Sequence, residues 1–297
     1  MSLLSKTCAL LLTGSLLGAA APVGTRFLPP SAAPGTATAA TTSLSPRLQR
    51  VASVIRGDAP RSVYFADLKT GTGFFQHDQQ LSSASMIKVF ILAKAYDEIR
   101  TGNLSREETF VLSKDNVVSG SGDLQYEPLG TKLSLKQVLE AMIVESDNTA
   151  TNILIDRLGM DAINAYMQGH GYSKSVLRRK MMDYDAIAAG RDNLTSVKDV
   201  GLLFKRLYRG QCVSPELDAE MLAIYKKQTD NDKIPAGVPK GTIVAHKTGE
   251  VNDVRHDGGI VYTPKGDYVL CIFTTGYCPY SEMAGLSGRI YQAFLGE

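Results

Sequence analysis

Three short motifs carry residue types that could transfer an acyl group, and they stand in a fixed order. Ser85-Met86-Ile87-Lys88 puts a hydroxyl three positions before an amine. Ser146-Asp147-Asn148 follows 61 residues after Ser85, and Lys247-Thr248-Gly249 follows 101 residues after Ser146. A serine hydroxyl is a weak nucleophile until a base takes its proton, and a lysine buried among apolar residues loses its charge and can be that base. Ser85 opens the apolar stretch 86–93, so the pair reads as the first turn of a buried helix, where the dipole favours a developing anion. Lys88 would then share a face with Ser85, and Ser82, Ser83 and Ser85 are all candidate caps.

The other two motifs supply what such a pair lacks. Ser146 can relay a proton to a leaving nitrogen, Asn148 can hydrogen-bond a substrate amide and Lys88, and Asp147 can brace the turn. Lys247 and Thr248 would face a substrate carboxylate, and Gly249 would let backbone approach the substrate closely. The backbone N–H groups of Ser85 and Glu250 would form an oxyanion hole, in which one donor is typically worth roughly 10²–10³ in rate. Arg255 offers a second positive charge for an anionic substrate. Alone, each motif has a plain structural meaning: a capping serine with a snorkelling lysine, a helix cap, a strand-end turn. Together and in order they specify one active site.

The trio resembles class A β-lactamases, within the superfamily that includes the penicillin-binding proteins. The resemblance extends through the run 135–154 around Ser146-Asp147-Asn148 and covers the chain from about residue 47 to its end. It implies attack by Ser85 on the amide of a β-lactam, through an acyl-enzyme, with no metal and no organic cofactor. One part of the pattern is missing. Class A enzymes activate water against the acyl-enzyme with a glutamate on a loop after the helical core, and this chain has no glutamate between Glu145 and Glu216. Asp183, 37 residues after Ser146, falls near that place, and Ile187 stands where the family has a water-holding asparagine. Asp183 is either a replacement base, one methylene short, or a structural residue paired with Arg178 or Arg179. In the second case the acyl-enzyme would linger. A carboxypeptidase or peptidase acting on cell-wall peptides, of the penicillin-binding-protein type, is the alternative enzyme. A non-catalytic β-lactam-sensing or peptidoglycan-binding module is the third possibility.

The elements that must position these residues follow from the periodicity. Runs 62–67, 73–76, 242–248, 259–262 and 268–275 read as strands, with turns at Lys69-Thr70-Gly71 and Pro264-Lys265-Gly266-Asp267. Residues 135–144, 149–158, 197–208 and 283–294 have helical spacing, and 85–230 reads as almost wholly helical. Strands at both ends and helices between predict an α/β (α+β) fold. The two ends (about 47–84 and 231–297) would build one antiparallel sheet with flanking helices, the inserted helical subdomain would span about 85–230, and the site would lie at the seam.

Bulk properties bound the rest. The chain has 297 residues and a formal charge of +2, but Lys6 and Arg26 stand in the first 45 residues, which hold no acid. The remainder is balanced at 30 basic and 30 acidic residues, so no charge excess points to nucleic acid or an anionic membrane. Lys6, the apolar run 8–17 and the small residues Gly18-Ala19-Ala20-Ala21 predict a signal peptide over 1–21. Export to the periplasm or cell exterior follows, with no membrane span after cleavage. Residues 22–46 read as a disordered Ala/Thr/Pro linker. Of Cys212, Cys271 and Cys278, a 212–278 bridge is conceivable and Cys271 reads as a small buried hydrophobe. His246, His256 and Asp257 lack metal-ligand spacing and read as strand and turn residues. Tyr126 and Tyr172 could line a cleft but read by default as exposed or half-buried tyrosines, and a monomer acting on a small β-lactam or cell-wall peptide is expected.

Overall fold

The structure, a computed structural model, describes residues 44–56 and 61–296. The expected leader, 1–21, and linker residues 22–43 lie outside the described residues. From Leu44 onward the chain forms one unit.

Five strands make its main sheet: β1 (Ser62–Asp67), β2 (Gly73–Gln76), β7 (Val244–Val251), β8 (Val254–Val261) and β9 (Tyr268–Thr274). Their order is β2-β1-β9-β8-β7, antiparallel throughout, with β1 against β9 joining the two ends of the chain. Side chains alternate across a strand, and here both faces are buried. Val63 and Phe65 of β1, with Leu270 and Ile272 of β9, face helices α1 (Pro46–Arg56) and α9 (Tyr280–Leu295). Tyr64, Ala66, Val269, Cys271 and Phe273 face the helical side. That is why these runs read as near-continuous apolar stretches.

The helical side comprises α2 (Lys88–Thr101), α3 (Leu135–Val144), α4 (Asn148–Leu158), α5 (Met160–Gly169), α6 (Tyr184–Ala188), α7 (Val197–Tyr208) and α8 (Pro215–Tyr225). Helix α2 runs through its centre, with Val89 to Ala93 inaccessible to solvent. Local capping sets the helix starts. Ser134 and Gln137 close a capping box on α3, Ser196 caps α7, and Ser214 with Pro215 starts α8.

The region 85–230 is less uniformly helical than its pattern. Short ribbons pair β3 (Leu81–Ser82) with β6 (Leu194–Thr195), and β4 (Thr109–Val111) with β5 (Lys132–Ser134). Strand β8 begins five residues earlier than expected, because the polar run Glu250 to Asp257 is a hairpin closed by Asn252-Asp253 rather than a loop. The three cysteines are free and separately buried, so the 212–278 bridge does not form. Among the described residues no helix is long and apolar enough to cross a membrane.

Candidate active site

Ser85 does not sit in the first turn of an α-helix. It lies in a one-turn 3₁₀ segment, Ala84–Ile87, that delivers the chain into α2 at Lys88. None of the three serines caps it through its side chain. Ser82 Oγ donates to Asp192, and Ser83 Oγ to its neighbour's carbonyl. Ala84, immediately before the nucleophile, has φ 43°, a left-handed conformation that an L-residue holds only when its surroundings enforce it. His256 from β8 helps enforce it: its ring nitrogen lies 2.8 Å from the Ser82 carbonyl and its ring stacks on Phe273. His256 is thus a support for the Ser85 turn, with its pKa pushed down to about 4 by burial.

Lys88 is fully buried and its Nζ donates to the Ser146 carbonyl, to Ser146 Oγ at 3.2 Å and to Asn148 Oδ1 at 2.9 Å. Ser85 Oγ is not among its partners, and makes no hydrogen bond among the described residues. Burial, reinforced by the Lys247 charge and opposed by Asp147, holds the Lys88 amine well below its ordinary range. That is the state in which an amine can accept a proton.

Ser146 itself has φ 58°, a second left-handed residue at this site. Asp147 holds the turn around it. One carboxylate oxygen accepts the Ala150 N–H at 2.7 Å, capping α4, and the other accepts the Leu124 N–H at 3.0 Å. Gly122 lies so close that a Cβ there would sit 2.1 Å from the Asp147 carboxylate, which explains a glycine at φ 92°.

Lys247 is the hinge of the constellation. It is fully buried, and its Nζ reaches Ser146 Oγ at 3.0 Å and the Thr248 carbonyl at 2.8 Å. Burial lowers it to about 7 against the raising influence of Asp230 and Asp257. Strand β7 then passes along the nucleophile. A Cβ on Gly249 would lie 3.1 Å from the backbone nitrogens of Ser85 and Met86. Val251 and Val254 flank the two-residue turn, so they exchange both hydrogen bonds, and the next pair, Glu250 with Arg255, exchanges none. The Glu250 N–H therefore points away from β8, out of the edge strand. Ser85, Ser146, Thr248, Gly249 and Glu250 line one cleft of about 180 Å³, with Ser121 and Asp230.

Lys88, Asn148 and Lys247 lie behind that wall in one hydrogen-bond chain through Ser146, whereas two expected site residues belong to neither the wall nor the chain. Arg255 Nη1 donates to the Cys278 carbonyl, and its guanidinium lies over the rings of Tyr277 and Tyr280. Asp183 is exposed and caps α6, accepting the Ala186 N–H at 2.9 Å. Arg179 pairs with Asp192, not Asp183, at 2.7 Å. The loop touches the site instead through Met182, whose sulfur crowds Gly120 beside the Asn148 amide. Asn152 fixes that loop, bonding the Met181 N–H at 2.7 Å and the Met181 carbonyl at 3.2 Å. Tyr172 packs in the core on Phe90, away from the cleft. His246 is also internal, 2.8 Å from Asp257, whose other oxygen accepts the Ile234 N–H.

Sequence reasoning missed Lys233, Asp230, His256 and Asn152. Lys233 is buried between Asp230 and Glu250, at 2.8 Å from each. No motif marks it. A lysine in an otherwise apolar Lys-Ile-Pro run was the one available signal.

The match to known proteins spans the stretch that holds these residues. A family model described as the beta-lactamase enzyme family matches residues 43–294. A β-lactamase of Streptomyces fradiae is 26% identical over 235 residues, covering 76% of each chain. The structure of PBP-A superposes with a TM-score of 0.76 at 29% identity, covering 86% of this chain and 97% of that one. Its L158E mutant, solved as an acyl-enzyme complex with penicillin G, matches at the same TM-score and identity over 84% and 97% of the two chains.

Proposed function

Because the chain belongs to the β-lactamase enzyme family, we propose that it is an exported serine hydrolase that opens a β-lactam or peptide-like amide through an acyl-Ser85 intermediate and releases that intermediate slowly. The observation that carries this reading is the shared hydrogen-bond chain Asn148–Lys88–Ser146–Lys247, which links all three motifs behind the wall of one cleft. Ser85 attacks the carbonyl carbon as its proton passes to the neutral Lys88 amine. The carbonyl oxygen becomes an oxyanion facing the N–H groups of Ser85 and Glu250. Lys88 and Lys247 both contact Ser146 Oγ, so a proton taken up on Lys88 can reach the leaving nitrogen through that hydroxyl as the C–N bond breaks. Water then hydrolyses the ester.

The slow last step rests on the loop. It presents Met182 to Gly120, which also lies against the Asn148 amide, while the Asp183 carboxylate is turned to its own helix N-terminus. Loss of general-base help typically costs roughly 10²–10⁴-fold. A penicillin-binding-protein-like peptidase, for which the lactam is an inhibitor, is favoured by the same loop and by the likeness to PBP-A. Parallel incubation with a chromogenic β-lactam and a fluorescent penicillin tests both. Stable labelling of Ser85 with little colour is expected, and Ser85→Ala should abolish labelling. Rapid multiple turnover would contradict slow release, and no labelling at all would remove the acyl-enzyme.

A further inference from the structure

Away from the catalytic cleft, helices α2, α3 and α8 leave between them a cavity of about 420 Å³ that shares no lining residue with it. Its floor is aliphatic, with Ile99, Leu135, Leu139 and Ile224 set beside Tyr96. At the rim, the charges are paired with each other. Arg106 donates twice to Glu220, at 3.0 and 2.9 Å, and Lys227 pairs with Glu140 at 2.8 Å. Lys136 is more loosely held, 4.0 Å from Glu140 and largely exposed. An apolar hollow of this size with few polar groups has the make-up of a small-molecule site.

One polar atom on that floor is unused. Tyr96 is only 4% exposed, yet its hydroxyl makes no hydrogen bond among the described residues. The charges that act on the hydroxyl are Glu220, Arg106 and Glu140, all of them on this cavity's wall, so the O–H faces the cavity. Burial, then Glu220, pushes its pKa up to about 12, which keeps it a neutral phenol able to donate. An O–H left unpaired in apolar surroundings costs free energy that a ligand oxygen would recover.

We propose that this cavity is a second binding site, for a small neutral apolar molecule carrying one oxygen acceptor, which seats its body against α2, α3 and α8 and accepts a hydrogen bond from Tyr96. Charge chooses the class. Near the Tyr96 hydroxyl a carboxylate would meet Glu220 and Glu140, and an ammonium would meet Arg106, whereas a neutral molecule leaves both rim pairs intact. The single buried donor restricts the inner end to one polar atom. Everything else the ligand presents there must be hydrocarbon.

Three naphthalenes of nearly one shape test this with the purified protein: the acetyl ketone, the ethyl hydrocarbon and the carboxylate. Calorimetric titration measures their affinities. The ketone should bind saturably and more tightly than the ethyl compound by roughly threefold to tenfold, the net worth of one hydrogen bond. The carboxylate should bind weakest of the three. Tyr96→Phe, which removes a single oxygen, should bring the ketone down to the ethyl compound and leave the latter unchanged. Ala223→Phe, at an exposed position on the cavity wall, should fill the space and abolish binding of both, and with it the rise in thermal midpoint that the ketone gives the parent. Excess penicillin G should not displace the ketone. No saturable binding of the ketone, tightest binding of the carboxylate, an unchanged ketone affinity in Tyr96→Phe, or binding that survives in a folded Ala223→Phe would each overturn the site. Displacement by penicillin G would overturn it too, by placing the ketone in the catalytic cleft.

Discussion

Two amines buried in one cleft divide the work by their partners. Lys88 has neutral oxygens around its Nζ and is held well below its ordinary range by burial and then by Lys247. Lys247 is equally buried but feels Asp230 and Asp257, and settles at about 7. Below about 7 it is charged and attracts an anionic ligand, and above that it progressively is not. Labelling by an anionic penicillin should accordingly fall as pH rises through about 7. Lys247→Arg, which keeps its charge, should lose that alkaline limb even if its overall rate drops. A labelling rate that is flat or still rising between pH 7 and 9 would show that the Lys247 charge does not assist acylation.

Elements carry the site by touching at few points, and those points were unevenly legible. Strands β1 and β2 and helices α3 and α7 could be read to the residue because one pattern ran unbroken through each, whereas β7 and β8 run on into a polar hairpin that their apolar stretches do not mark. The three motifs gave the cleft for the same reason: each is a local string on one element. What could not be read was anything set by contact between distant elements, such as Lys233 reaching Glu250, or His256 bracing the carbonyl of Ser82. Asp183 is the sharpest case. Its place in the chain suggests a base, whereas its oxygen bonds Ala186 three residues on, a purely local outcome. Asn caps as well as Asp, so Asp183→Asn should leave both thermal stability and acyl-enzyme lifetime within about twofold of the parent. Asp183→Ala should lower stability by about 1 kcal/mol with the lifetime likewise unchanged. Mass spectrometry of the acylated protein over time checks the lifetime, and a several-fold longer one in Asp183→Asn would restore Asp183 as the base. Strand β7 gives the complementary test. A methyl on Gly249 meets the Ser85 and Met86 nitrogens at 3.1 Å, so Gly249→Ala should slow acylation by on the order of 10-fold to 10²-fold, as expected of ångström-scale misplacement, with the circular dichroism unchanged.

The whole molecule holds this chemistry between two cores, one under α1 and α9 and one around α2, separated by a sheet that the chain ends close together. Placing amines in that interior has a consequence for stability with a definite sign. Lys247 binds its proton up to about 7 when folded and up to its ordinary 10.5 when unfolded. Between these values the unfolded chain holds the extra proton, so raising pH favours the folded state. Lys88 acts in the same direction. His256, pushed from 6.5 to about 4, adds to the same trend lower down, between those two values. Buried Cys212 and Cys271, both raised from 9.0, work the other way only as pH climbs past the ordinary thiol value. Stability should therefore climb between pH 7 and 8.5, by roughly 1–2 kcal/mol for each fully displaced lysine proton. Urea unfolding at the two pH values measures it, and Lys247→Met should remove about one proton from the slope whatever it does to the midpoint at pH 7. A parent protein whose stability is level or falling across that window, with an unaltered slope in Lys247→Met, would mean that Lys247 keeps its proton inside the fold and that the cleft is far more polar than its burial implies.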